Sequence, residues 1–317
     1  MENKQSINKI LVTGGAGFIG SHIVDRLMKT ECEVVVFDNL SSGKMEFIDH
    51  HLNKTNFSLI EGDLLNTDEI DTACNGVDFV YHVAANPDVR LGAVDTKVHF
   101  DQNITATYNL LEAMRKNDVA NIAFTSTSTV YGEATIIPTP EDYGPLVPIS
   151  LYGASKLACE ALITSYSHTF DIHSWIFRFA NIVGDRGTHG IIVDFINKLK
   201  DKPEKLEILG DGRQLKSYLH IADCVDAIMF AINHINETVN IFNVGSEDAI
   251  DATGIAGIVV GEMGLKDVEF SYTGGKRGWK GDVPQMRLAV DKLKELGWSP
   301  SYNSRNSVRD TVRALID

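Results

Sequence analysis

The stretch Ile10-Leu11-Val12-Thr13-Gly14-Gly15-Ala16-Gly17-Phe18-Ile19-Gly20 decides how the rest of the chain is read. Its first four residues form an apolar, β-branched run that predicts a strand, and a helical pattern over Gly17–Lys29 takes over from it. The glycines differ in what they permit. Gly14 allows a tight turn, Gly17 lets backbone N–H groups approach a pyrophosphate, and Gly20 lets helix pack on strand. The helix then points the positive end of its dipole at the phosphates. Glycine-rich turns are common, so the context carries the weight. Asp38 ends the next apolar run, close to the ~20 residues expected between such a turn and a ribose-binding acid. A carboxylate there accepts from both ribose hydroxyls and repels a 2′-phosphate, which implies NAD rather than NADP.

Working outward, short β-branched runs at Lys9–Thr13, Glu33–Phe37, Phe57–Glu61, Asp78–Val83, Asn121–Ser126 and His173–Phe179 alternate with helical segments at Gly17–Lys29, Thr67–Ala73, Asp95–Lys116 and Leu151–Thr169. Strand–helix alternation predicts a parallel sheet covered on both faces. Runs such as Val34-Val35-Val36-Phe37, apolar throughout, are what strands buried on both faces look like. The fold class expected is therefore α/β, a doubly wound parallel Rossmann sheet with a smaller, interleaved α/β lobe for substrate. The first domain is assigned to residues 1–180, with segments around 215–245 returning to it, and the smaller lobe to 181–317.

Composition narrows the function. The chain has 317 residues, 44% hydrophobic and 23% charged, in the range of globular proteins. Apolar runs fall short of the ~18 residues a membrane span needs, and Ile10–Ile19, with three glycines, makes a poor signal-peptide core. A net charge of −14 disfavours nucleic acid as a partner. Cys32, Cys74, Cys159 and Cys224 lie far apart without a CxxC pair, which fits reduced thiols and a cytoplasmic location. No metal is expected: the adjacent His50 and His51 cannot share one helical face. A serine hydrolase is excluded by the missing G-x-S-x-G elbow.

Tyr152-Gly-Ala-Ser-Lys156 sets a phenol and an ammonium four apart, on one face of a helix. That spacing alone has little weight, but it opens the helix after the fifth strand, whose end carries the hydroxyls Thr125-Ser126-Thr127-Ser128-Thr129. Parallel-sheet enzymes bind ligands at that edge. At ~5 Å and an effective dielectric of ~20, an ammonium favours phenolate by about 3 kcal/mol, roughly 2 pKa units. Tyr152 then becomes a usable general base for an alcohol.

These elements together resemble the extended short-chain dehydrogenase/reductase family, in particular its UDP-glucose 4-epimerase-like group. The similarity spans the chain: Thr13–Gly20, Asp63-Leu64, His82-Val-Ala-Ala85, Thr125–Gly132, Tyr152–Lys156, Arg178-Phe-Ala-Asn181, Gly210-Asp-Gly212 with Gln214 and Tyr218, and Gly281-Asp282. The resemblance implies Tyr152 as base, Lys156 as the group that lowers its pKa and binds the nicotinamide ribose, and Thr127 as the holder of the substrate hydroxyl. It implies NAD contacts from Gly14, Gly17, Phe18, Ile19, Gly20, Asp38, Asn39, Gly43, Asp63, Leu64, Ala84, Ala85 and Asn103. Asn181, Lys216, Arg277 and Asp282 would hold the diphosphate of a nucleotide sugar, a UDP-sugar by the same resemblance. Family members also pair two helices into a four-helix bundle, which implies a homodimer.

Departures bear on the reaction. Lys216-Ser217-Tyr218 stands where the family has Arg-Asp-Tyr, and Trp279 stands where it has an arginine. A lysine neutralises a pyrophosphate as a point charge, without the arginine fork. Lys276, Arg277 and Lys280 form a basic island that is either a solvated turn or a diphosphate clamp. Dehydratases of the group have Thr-Asp-Glu at the fifth strand's end, and decarboxylases keep the Glu. Ser128 and Thr129 carry no carboxylate, which favours a 4-epimerase over a dehydratase, decarboxylase or reductase. A non-catalytic NAD-sensing protein would lack the Tyr152/Lys156 pair.

Overall fold

A computed structural model describes residues 7–316. In chain order β1 (Lys9–Thr13), α1 (Phe18–Leu27), β2 (Glu33–Asp38), β3 (Phe57–Glu61), α2 (Thr67–Ala73), β4 (Phe79–His82), α3 (Ala106–Lys116), β5 (Asn121–Thr127), α4 (Leu151–Phe170) and β6 (His173–Phe179) alternate as the hydrophobic runs foretell. They are followed by β7 (Asn181–Val183), α5 (Ile191–Asp201), β8 (Lys205–Ile208), β9 (Leu215–Lys216), β10 (Tyr218–His220), α6 (Ile221–His234) and β11 (Val239–Val244). The chain then runs through β12 (Ile250–Asp251), α7 (Ala252–Glu262), β13 (Glu269–Tyr272), β14 (Gln285–Met286), α8 (Asp291–Glu295) and α9 (Ser304–Ile316).

Seven strands form the main sheet, in the order β11-β6-β5-β4-β1-β2-β3. The strand order reverses at β1, where β1 pairs in parallel with both β2 and β4. That reversal is the switch point at which a doubly wound sheet opens a ligand crevice at its carboxyl edge. Val34 to Phe37 of β2 are all buried, as a strand covered on both faces requires. Smaller sheets lie in the C-terminal lobe: β7 beside β10, β9 between β12 and β14, and β8 beside β13.

The chain divides into two compact units. The first contains the chain up to Ser126, then Ser155–Phe177 and Ile235–Ile241. Its core includes Leu11, Val35, Phe37, Val80, Leu110, Leu111, Met114, Ile122 and Ile163. Each such side chain, wholly buried, contributes ~1.5–3 kcal/mol of transfer free energy. The late segment 235–241 is stitched in by Ser174 N donating to Thr238 O at 2.9 Å, Trp175 Nε1 to Ile235 O at 2.9 Å, and Asn240 Nδ2 to Ser174 O at 3.1 Å. The second unit is Thr127–Ala154, Arg178–His234 and the chain from Phe242 onward. Its separate core is built from α5, α7 and α9 around Phe195, Leu206, Ile255, Val259 and Val308.

The segment read as one helix over Asp95–Lys116 departs from that reading at its start. Phe100–Thr105 is a π-helical turn, and regular α3 begins only at Ala106. Among the described residues no helix is long and apolar enough to cross a membrane.

Candidate active site

In the first unit the glycine turn closes as its composition requires. Gly14 has φ of +69°, and a Cβ there would lie 2.7 Å from the Ala84 backbone, so β1 and the loop after β4 approach with nothing between them. Gly14 N donates to Phe37 O at 2.9 Å, and Ala84 N to Thr13 O at 3.0 Å. Helix α1 then starts at Phe18 and Ile19, with Gly17 at its N-cap, no side chain capping its N–H groups and no acid in its first turn. An uncapped N-terminus behind a turn without side chains is a donor set that fits a pyrophosphate.

Asp38 sits at the end of β2, 8% exposed. Its Oδ2 accepts from Ala16 N and its Oδ1 from Leu40 N, each at 2.9 Å. Burial raises its pKa, and the two backbone donors pull the other way. Each oxygen keeps a lone pair for a ribose hydroxyl. Gly43 packs against it: a Cβ there would be 2.9 Å from Asp38 Oδ1 and from Ala16 Cβ. Asn39 Nδ2 donates to Asp63 Oδ2 at 3.2 Å, and Leu64 is buried, its carbonyl taken by Asn109 Nδ2. The residues assigned to the cofactor on β1, β2 and the loops after β3 and β4 therefore gather at one carboxyl edge.

Asn103 lies inside the π-helical turn, 2% exposed. Its Oδ1 accepts from Asn86 N at 2.8 Å and its Nδ2 donates to Ser155 Oγ at 2.9 Å, so one amide ties the loop following Ala84 and Ala85 to α4. Lys156 on α4 is 2% exposed; its Nζ donates to Thr125 O at 2.8 Å and lies 4.6 Å from the Phe124 ring centroid. Burial lowers its pKa to about 8, against the opposing pull of Cys159 and Glu160. His82 is neutral by the same logic. Burial first, and then the Lys156 charge, bring it to about 3, and its ring bridges Thr13 Oγ1 and Thr107 Oγ1 at 2.8 and 2.9 Å.

In the second unit, Thr127 Oγ1 accepts from Thr129 N and from Thr129 Oγ1, both at 3.2 Å, which shapes the turn Ser128–Tyr131. The first turn of α4 packs on it. A Cβ at Gly153 would meet Thr129 O at 2.8 Å, so glycine is what brings half-buried Tyr152 beside the Thr127 turn. Tyr152 and Lys156 share α4, one helical turn apart.

The residues assigned to the diphosphate also come together. Lys216 Nζ donates to Asp282 Oδ1 at 2.5 Å and lies 5.0 Å from the Trp279 ring centroid. Gly278 N donates to Asp282 Oδ2 at 2.9 Å, and Arg277 spans Asp282 O and Glu133 Oε1. Asn181 Nδ2 donates to Ser217 O at 3.0 Å, next to Lys216. The placing of the Trp279 indole under Lys216 and the Glu133 partner of Arg277 were not foreseen from the sequence. Trp279 two residues from Arg277 offered a signal, whereas Glu133 offered none.

One expectation is corrected. His50 and His51 do converge: their Nε2 atoms lie 2.9 and 2.7 Å from Asp25 Oδ1. The segment is a three-residue 3-10 turn, Asp49–His51, rather than an α-helix, and the acceptor comes from α1. Lys54 Nζ donates to His51 Nδ1 at 2.9 Å, which leaves Nε2 to carry the proton given to Asp25. This is a hydrogen-bonded cluster and a poor metal donor set.

A doubly wound sheet with a phosphate-binding turn, an acid at the second strand and a Tyr-Lys pair on a helix defines a dinucleotide-dependent enzyme of the Rossmann type. Residues 10–245 match the NAD dependent epimerase/dehydratase family, and the chain belongs to it. A solved UDP-galactose 4-epimerase is 42% identical, with a TM-score of 0.87 covering 97% of this chain and 98% of that one. The UDP-glucose 4-epimerase of Thermotoga maritima, solved with UDP-glucose, is 31% identical with a TM-score of 0.87 over 97% and 98% of the two chains. UDP-glucuronic acid decarboxylase 4 of Arabidopsis thaliana is 31% identical over 96% of this chain and 68% of its own length. The protein is thus an enzyme of an NAD-dependent family.

Proposed function

We propose that the reaction is reversible 4-epimerisation of a UDP-sugar of the UDP-glucose/UDP-galactose type. One observation carries the choice among reactions on this scaffold. The Thr127 turn holds Ser128 and Thr129 where elimination or decarboxylation would need a carboxylate, and the Thr129 hydroxyl is spent on Thr127. Removing and returning a hydrogen at C4 needs a single base, and Tyr152 supplies it.

In this reading Thr127 Oγ1 orients the C4 hydroxyl and Tyr152, as phenolate, takes its proton. NAD, held by the Gly14–Gly20 turn and Asp38, would supply a two-electron acceptor for the C4 hydrogen. The buried Lys156 ammonium, one turn further along the same helix, stabilises the phenolate through Coulomb attraction. Tyr152 returns its proton once the 4-keto sugar has presented its other face. Lys216, Arg277 and Asn181 anchor the diphosphate, with Asp282 holding the Lys216 ammonium in place, leaving the hexose free to turn. A homodimer fits the same reading, because α4 leaves Leu157, Ala158 and Leu162 only half-buried and Ala161 exposed; sedimentation of the purified protein decides this.

The test runs UDP-glucose to equilibrium in heavy water. A 4-epimerase returns to carbon the hydrogen it removed, so UDP-galactose forms without deuterium at C4, C5 or C6. Deuterium at C5 or C6, or product lacking the mass of water, would replace this reading with a dehydratase, and loss of carbon dioxide from UDP-glucuronic acid run in parallel would replace it with a decarboxylase. Tyr152→Phe lowers kcat by roughly 10²–10⁴-fold with binding little changed.

A further inference from the structure

Glu160 is 4% exposed, one turn beyond Lys156 on α4, and the steps above give it no part. Its Oε1 accepts from Ser126 Oγ at 2.5 Å, while Lys156 Nζ donates to Thr125 O at 2.8 Å. Two consecutive residues at the carboxyl end of β5 are therefore gripped by two opposite charges that stand i,i+4 on one helix. A carboxylate leaves water only at a large cost unless it is paired and hydrogen-bonded. The Ser126 hydroxyl would be satisfied equally by an amide oxygen, so the hydrogen bond alone gives no reason for a charge here.

The groups facing Lys156 make the reason plain. The Cys159 thiol is pushed up by burial and stays neutral, and the His82 imidazole is held neutral by burial and by Lys156 itself. The Phe124 ring and the Thr125 carbonyl are uncharged partners, and Tyr152 stands one turn before on the helix. Glu160 is the carboxylate in this set, and its pull on Lys156 opposes the effect of burial.

We propose that Glu160 is a positioning residue of the reaction: its charge keeps Lys156 an ammonium in a dry seam, and its hydrogen bond pins the strand end that leads into Thr127. This rests on the assignment of Lys156 as the group that activates Tyr152. A neutral Lys156 would still donate to Thr125 O, more weakly, yet lend Tyr152 nothing, so the charge of Glu160 matters beyond its hydrogen bond to Ser126.

Glu160→Gln keeps the shape and the acceptor for Ser126 and removes only the charge. The first readout needs no substrate. Lysines carrying ¹⁵N at Nζ are titrated by NMR, with the Lys156 signal identified by its loss in Lys156→Met. The Lys156 midpoint falls by about one to two pH units in Glu160→Gln, stays at the wild-type value in Ser126→Ala, and returns in Glu160→Asp. The second readout is the pH–rate profile. In Glu160→Gln the alkaline limb moves to lower pH and kcat at pH 8 drops about tenfold, with KM within about twofold. A Lys156 midpoint that is the same in Glu160→Gln and the wild type overturns the proposal, and so does a lowered midpoint with an unmoved rate profile. Absence of 4-epimerase turnover in the wild type would instead fail the function proposed above, and the midpoint would still decide the coupling.

Discussion

Alanine at Gly20 sets two effects of opposite sign against each other. Gly20 is the third residue of α1, and replacing a helical glycine stabilises a helix by ~0.5–1 kcal/mol. The new methyl, however, would land inside the repulsive range of Gly14 O and 2.9 Å from both Gly14 C and Gly15 Cα. These are backbone atoms of the Gly14–Gly17 turn and cannot rotate away. To restore ordinary contact the turn must open by about 1 Å, an overpacking cost of ~1–3 kcal/mol. The clash wins by about 1–2 kcal/mol. Opening also misaims the donors of α1, and losing one hydrogen bond to a charged phosphate is worth ~1.5–3 kcal/mol, at least tenfold in Kd. Gly257 of α7 is the control, since a Cβ there meets nothing within 4 Å and the residue is exposed. Calorimetry should show Gly257→Ala raising Tm and Gly20→Ala lowering it, by about 2–4 °C per kcal/mol, with titration calorimetry recording weakened NAD only for the latter. If Gly20→Ala raises Tm as Gly257→Ala does and leaves the NAD Kd alone, the tight turn does not govern the site.

If Asp38 takes the ribose hydroxyls, NADP should bind at least tenfold more weakly than NAD, and equal dissociation constants would refute the assignment. His82 titrates near 3 in the folded protein and near 6.5 when unfolded, so the unfolded chain binds the extra proton. Stability is whole above pH 6.5 and falls as pH drops toward 3, by up to ~1.4 kcal/mol per pH unit; His82→Gln should flatten Tm against pH in that window. Lys216→Ala strands the buried Asp282 carboxylate and should lower Tm while raising KM for the proposed UDP-sugar substrate. Adding Asp282→Asn should recover Tm without recovering KM, and recovery of both would limit the pair to a structural part.

The first unit was legible because its signals are local. The run into Gly14–Gly20 and the continuous apolar strands need no partner to be recognised, and β1, β3 and β6 occupy the residues foreseen. Two-residue strands such as β9, β12 and β14 were not legible, because they have no periodicity of their own and exist only through pairing. The π-helical turn around Asn103 escaped for a related reason. Its side-chain spacing resembles that of an α-helix, and the extra residue per turn is set by what Asn103 and Cys159 bond. Site residues with motif spacing, Tyr152 and Lys156 among them, stood out. Glu160 did not, since a glutamate four places after a lysine reads as a solvated helical pair until burial is known. Lys216 was foreseen as a cation for the diphosphate, yet its distant partner Asp282 is a tertiary fact.

The return of residues 235–241 to the first unit bears on how the protein is made. Strand β6 leaves the ribosome long before β11, and until then Ser174 N and the Trp175 indole lack the carbonyls of Thr238 and Ile235. A nascent chain thus carries an unpaired sheet edge through the synthesis of α5 and α6, the sort of edge that recruits strands from neighbouring chains. Fragments ending near residue 180 should therefore aggregate rather than yield a free nucleotide-binding half. Completion of the first unit thus waits for residues 235–241, a late event in synthesis.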